Sequence, residues 1–113
     1  MKLPKRELIK RGQIIEKLST YALNFSHSDG QHKARLFQAK LGITLNNQEP
    51  LIAAIFEAVN TQSLSYRTTS PYGDKYVIDF IMETEVGKSK IRSAWIIPFE
   101  ENYPRLTSIY PIK

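Results

Sequence analysis

Apolar residues recur at helical spacing along the first half of the chain and at strand spacing along the second. Ile15, Leu18 and Ala22 fall at i, i+3 and i+7, with Ile14 and Tyr21 alongside. That pattern predicts a helix over about Gln13 to Asn24. Ala34, Phe37 and Leu41 set a second helix, opened by Ser28 or Asp29 as N-cap and closed at Gly42. Leu51, Ile52, Ile55, Phe56 and Val59 form a broad stripe on a third, capped by Asn46 or Asn47 with Pro50 in its first turn. Ahead of all three, Leu8-Ile9 reads as a short edge strand or a docked arm.

After Gln62 the apolar period drops to that of a strand. Leu64 to Thr69 is the first strand, and Pro71-Tyr72-Gly73-Asp74 is a turn. Tyr76, Ile78, Phe80 and Met82 then alternate with Val77, Asp79 and Ile81, the mark of a half-buried strand. Lys90 to Ile97 and Arg105 to Tyr110 follow, each stopped by a proline. Successive strands joined by short turns predict an antiparallel meander. The expected fold is therefore α+β: two to three N-terminal helices packed on a four-stranded antiparallel sheet, in a single domain over residues 1–113. Phe37, Ile55, Phe56 and Phe80 are expected in one core.

Composition narrows the chemistry. The chain has no cysteine, which removes disulfides, thiolate metal clusters and thiol nucleophiles together. No apolar run approaches the ~20 residues that span a bilayer. The N-terminal residues lack an apolar signal core, so a cytoplasmic protein with no membrane association is expected. The formal net charge is +5, and it is unevenly spread. Residues 1–45 hold nine Lys or Arg against three acids, whereas residues 46–113 hold seven against eight. A basic half joined to a near-neutral half points to a polyanion-binding face.

The most chemical stretch is Gly30-Gln31-His32-Lys33-Ala34-Arg35-Leu36-Phe37. With Ser28 or Asp29 as cap, His32 falls in the first helical turn, where the dipole disfavours a further positive charge and favours a proton-accepting imidazole. His32 and Arg35, three apart, share a face, with Lys33 about 100° round the helix. One short helix thus offers an imidazole, an ammonium and a guanidinium to one anion. The plain alternative is a solvated basic face. Among the strand residues, Arg92 and Ser93 point to opposite faces. Ser93 shares a face with Trp95 and reads as a buried hydroxyl; Arg92 reads as an exposed cation, or as the partner of Asp79 in a cross-strand ion pair.

Other chemistries find no support. His27 and His32 are five apart with no acid at a metal-ligand spacing, so no metal is expected. No glycine loop cradles a phosphate, no Ser sits in a nucleophile elbow, and no cofactor is expected. Metal-free cleavage of RNA remains: a base for the 2′-hydroxyl, an acid for the leaving 5′-oxygen, and cations for the charge at phosphorus. The candidate catalytic residues are His32, Lys33, Arg35, Arg92 and Tyr103, and those for binding nucleic acid are Lys33, Arg35, Lys40, Arg92 and Arg105. His32 would act as base or acid, the cations would hold phosphate, and Tyr103 would assist or stack on a base.

Several stretches carry a resemblance: Gly30 to Phe37, Tyr72-Gly73-Asp74-Lys75-Tyr76-Val77-Ile78-Asp79-Phe80, Arg92-Ser93-Ala94-Trp95-Ile96, and Phe99-Glu100-Glu101-Asn102-Tyr103-Pro104-Arg105-Leu106. Together they resemble a small bacterial family of uncharacterised single-domain proteins, over Lys2 to Tyr110. At the level of fold, helices followed by a meander are similar to the barnase–EndoU–colicin–RelE group of ribonucleases. That likeness implies an endoribonuclease, the toxin of a toxin–antitoxin pair, with an acidic antitoxin or immunity protein as partner. EndoU-type enzymes use two histidines; with His32 alone, the second proton would come from Lys33 or Tyr103. The competing expectation is a non-catalytic nucleic-acid-binding or adaptor module, which exposed Tyr and Arg on a sheet would suit.

Overall fold

The structure, a computed structural model, describes residues 1–112. The N-terminal arm makes a 3-10 turn at Arg6–Leu8 rather than a strand, and docks by burying Leu3 and Ile9. Helix α1 spans Arg11–Lys17 and widens into a π-helical turn, Leu18–Ala22. The widening follows from two hydroxyls. Ser19 and Thr20 both donate back to the Glu16 carbonyl, competing with the regular helical ladder. The first helix therefore starts two residues earlier than its apolar pattern suggests and ends as a different kind of turn.

Helix α2 spans Gly30–Leu41 and buries Ala34, Phe37 and Leu41, the face set by the sequence. Gly42 closes it at φ 67°, a left-handed conformation that suits glycine. Thr44 caps a 3-10 turn at Leu45–Asn47 in a capping box with Asn47, and α3 follows over Glu49–Thr61 with Pro50 in its first turn. The asparagines thus serve the short turn ahead of α3 rather than α3 itself.

Strands β1 (Tyr66–Ser70), β2 (Gly73–Glu83), β3 (Lys88–Pro98) and β4 (Arg105–Pro111) form one antiparallel sheet in the order β1-β2-β3-β4. The protein is an α+β fold, helices first and meander second. One sheet face buries Tyr76, Ile78, Phe80, Met82, Ile91, Trp95, Leu106 and Ile109 against the helices. Phe37, Ile55 and Phe80 share that core, while Phe56 packs only partly buried at its margin. Ser93 is a buried hydroxyl: it donates to the Ile78 carbonyl at 2.8 Å and accepts the Trp95 indole N–H at 3.0 Å.

The edge strand β4 positions the candidate site. Helices α1 and α2 and the π-turn all pack against it. A bulge between Ala94 and Trp95 shifts its register, so Ser108 and Tyr110 fall opposite Ala94 and Arg92. No helix among the described residues is long and apolar enough to cross a membrane.

Candidate functional site

Tyr21 sits at the centre of the densest cluster of polar chemistry, and its place comes from the π-turn. Lys33, in the first turn of α2, donates from Nζ to the Tyr21 hydroxyl at 2.7 Å, and its ammonium lies 4.8 Å from the Tyr21 ring centre. The same ammonium lies 5.4 Å from the ring of Tyr110 on β4. Lys17 stands 5.6 Å from the Tyr21 ring, and His27 meets that ring edge-on at 4.9 Å. One cation is thus held between two aromatic rings, a geometry that fixes an ammonium while leaving donors for an anion.

The row continues across the sheet. Tyr110 lies opposite Arg92, and Arg92 opposite Asp79, on the face turned away from the helices. Arg92 grips Asp79 with both arms of its guanidinium, Nε at 3.0 Å and a terminal nitrogen at 2.9 Å. The Arg92 side chain stays 41% exposed while Asp79 is at 12%, so the pair turns its cationic side to solvent. Hydrogen bonding to Asp79, then its charge, raises the Arg92 pKa above the ordinary range. The cross-strand ion pair considered from sequence is present, and it orients the guanidinium beside Tyr110.

The other histidine holds the backbone. No side chain of Ser28 or Asp29 caps α2. The His27 imidazole does so, Nδ1 accepting the N–H groups of Asp29 at 3.0 Å and Gly30 at 2.9 Å. Asp29 occupies the N-cap position in a helical conformation, so its carboxylate is not presented to the first free N–H groups. His32 is exposed on the first turn, and Arg35 is exposed one turn on. Among the described residues neither makes a side-chain hydrogen bond or ion pair, with Arg92 or with any other group. Lys40 lies in the last turn of α2, well away from Lys33, where a cation complements the helix C-terminus.

Tyr103 and Arg105 belong to a second place. They line a groove of about 950 Å³ between α1 and β4, with Lys10 and Lys17 on its helical wall. Arg105 pairs with Glu101, which also accepts the Tyr103 hydroxyl at 3.0 Å. Hydrogen bonding from Arg105 lowers the Glu101 pKa, so this pairing persists at neutral pH and is lost only as the pH falls through that lowered value. The Gln13 side chain braces the groove, accepting the Leu106 N–H at 2.7 Å and donating to the Pro104 carbonyl at 3.1 Å.

The structure therefore brings Lys33 and Arg92 to either side of Tyr110 and sets Tyr103 with Arg105 in the groove. His32 and Arg35 stand on the open face of α2, outside both. Sequence reasoning missed Tyr21, which read as part of an apolar helix face, Tyr110, which read only as the end of the fourth strand, and the capping role of His27. One signal was present: Lys17 and Tyr21 are four apart on one helix, a spacing that puts them in contact. The partnership of Tyr21 with Lys33 depends on the π-turn, which no local pattern announces.

Among solved structures, the chain is similar to one in a contact-dependent growth inhibition toxin–immunity protein complex from Klebsiella pneumoniae 342. The two share 15% identity with a TM-score of 0.64, over 86% of this chain and 95% of that one. At that identity the likeness is one of fold. No curated protein matches the chain. The profile of one family does match, over residues 2–113, nearly the whole length: the chain belongs to the family described as Domain of unknown function (DUF6883).

Proposed function

We propose that this protein is a metal-independent endoribonuclease that acts as the toxin of a toxin–partner pair. The observation that carries the reading is the seam between α2 and β4. There Lys33 is fixed between Tyr21 and Tyr110, and Arg92 is held beside Tyr110 by Asp79. Two oriented cations flanking Tyr110, Lys33 at the α2 side and Arg92 on the outer face of the sheet, suit the charge that grows on phosphorus as a 2′-hydroxyl attacks. His32 is on the same helical turn as Lys33 but outside that cluster, on the open face of α2, so the 2′-hydroxyl has to reach out to His32 and give up its proton there. The 2′-oxygen bonds to phosphorus, the bond to the 5′-oxygen breaks, and Lys33 or the Tyr21 hydroxyl that it contacts returns a proton to that leaving oxygen. Arg35, on the open face of α2 with His32, and Lys40, two turns on from Lys33, take the flanking backbone, and Tyr103 and Arg105 contact the strand further off.

The fold is that of a chain from a toxin–immunity complex, which supports a role in such a pair. Charge favours the toxin over its antagonist. The basic surplus in residues 1–45 suits a nucleic-acid substrate and an acidic protein that covers it. Side-by-side RNA cleavage in EDTA by wild type, His32→Ala and Lys33→Ala tests the roles. Each variant is expected to lose on the order of 10²–10⁴ in rate, the worth of one positioned acid or base. His32 is exposed, so its variant should keep the wild-type circular dichroism spectrum. A His32→Ala protein that cleaves as fast as wild type removes His32 from the reaction. A wild type that binds RNA without cutting it moves the adaptor reading ahead.

A further inference from the structure

We infer that the groove between α1 and β4 is the track for an unpaired stretch of RNA, continuous with the Lys33 seam. The inference rests on the ribonuclease reading for the identity of the polymer, but it is tested by binding alone. Lys10, Lys17 and Arg105 bring three cations to the groove; Glu16 also lines it, and Glu101 pairs with Arg105, which leaves Lys10 and Lys17 as the cations without an ion-pair partner among the described residues. Tyr103, in the loop before β4, supplies a ring with the Arg105 guanidinium 5.7 Å from its centre, while the Thr20 and Thr107 hydroxyls already donate to the Glu16 and Ala94 carbonyls and offer only their lone pairs. This is the mixture that single strands favour, a basic channel for the backbone with a ring on which a base stacks. The volume of about 950 Å³ suits a few unstacked nucleotides. A double helix keeps its bases stacked inside and offers an A-form protein contact mainly through a wide, shallow groove, which a cleft between one helix and one strand does not match.

The track also leads somewhere. Lys17 lines the groove and at the same time faces the Tyr21 ring, whose far partner is Lys33. A backbone lying along Lys10 and Lys17 is thereby led toward Lys33. The bulge that displaces β4 puts Thr107 in the groove wall, and Gln13 locks the α1 side to the β4 backbone. The walls are therefore set before any ligand arrives. Arg105 is occupied by Glu101, so a phosphate entering there displaces a half-buried carboxylate.

Fluorescence anisotropy with a labelled 2′-O-methyl RNA strand, which cannot be cut through its 2′-oxygen, measures the track apart from any catalysis. The single strand is expected to bind tighter than the duplex of the same sequence. Lys10→Ala/Lys17→Ala should weaken single-strand binding on the order of 10-fold and reduce its log–log salt slope by roughly 1.4, two phosphates at about 0.7 each. Lys88→Ala/Lys90→Ala, at the far hairpin, should leave it within about 2-fold, since exposed charges beyond a Debye length are largely screened. Glu101→Gln, which frees Arg105 and Tyr103, should tighten binding by up to about 5-fold, the worth of an exposed ion pair. Equal or tighter binding of the duplex overturns the inference, as does a groove variant that binds like wild type. So does a labelled polyglutamate peptide that needs Lys10 and Lys17 while the RNA strand does not, which would assign the groove to an acidic protein. Cleavage of ordinary RNA by the wild type decides the ribonuclease reading separately.

Discussion

At Gly30 the chain has no room for a methyl group. A Cβ there would overlap the Tyr21 carbonyl, and its neighbourhood includes the Tyr21 ring. The close approach of α2 to the π-turn, and with it the contact between Lys33 and Tyr21, depends on that missing side chain. Gly30→Ala is expected to destabilise the fold by about 1–3 kcal/mol, the usual cost of forcing atoms into a packed site, as read by urea unfolding. An unchanged midpoint would mean that the two segments are free to part. The glycine was visible in sequence as the start of the most chemical stretch, but its reason was not, because the opposing carbonyl comes from a different element. His27 teaches the same lesson. Its imidazole is an acceptor for two backbone N–H groups, a role that depends on a loop conformation and that Ser28 and Asp29 were better suited to by type.

At the scale of elements, the apolar periods carried most of the information. The face of α2, the stripe of α3 and the alternation through Tyr76 to Met82 each follow from a repeat long enough to outweigh local preference. The errors cluster where side chains bond to backbone. Ser19 and Thr20 turn the end of the first helix into a π-turn, and Thr44 with Asn47 builds a separate turn before α3. The contact between α1 and β4 belongs to the same class. Gln13 reaches over to the β4 backbone and satisfies one donor and one acceptor of the strand edge. Gln13→Ala leaves both without their partner and is expected to cost about 1–3 kcal/mol by thermal or urea unfolding. Gln13→Glu keeps the acceptor for Leu106 and loses the donor for Pro104, so it should fall between wild type and the alanine variant. A glutamate variant less stable than alanine would show that charge, not hydrogen bonding, governs that contact.

Across the whole molecule, charge and architecture point the same way. The N-terminal arm and the first two helices carry the positive surplus, and the sheet supplies the strand that lies beside those helices. Binding to RNA is expected to fall steeply with salt, since phosphate contacts release counterions. Reversing charge at Lys33 and Arg35 should weaken it more than reversing Lys88 and Lys90, as read by titrations at two salt concentrations. Similar losses from the two pairs would indicate a diffuse field rather than a site. The central claim is chemical, and the ends of the RNA products test it most directly. Wild-type protein incubated with RNA in EDTA is expected to leave 2′,3′-cyclic phosphate on one fragment and a free 5′-hydroxyl on the other, because attack by the 2′-oxygen fixes both ends. Intact RNA, or fragments ending in a 3′-hydroxyl and a 5′-phosphate, would contradict the account.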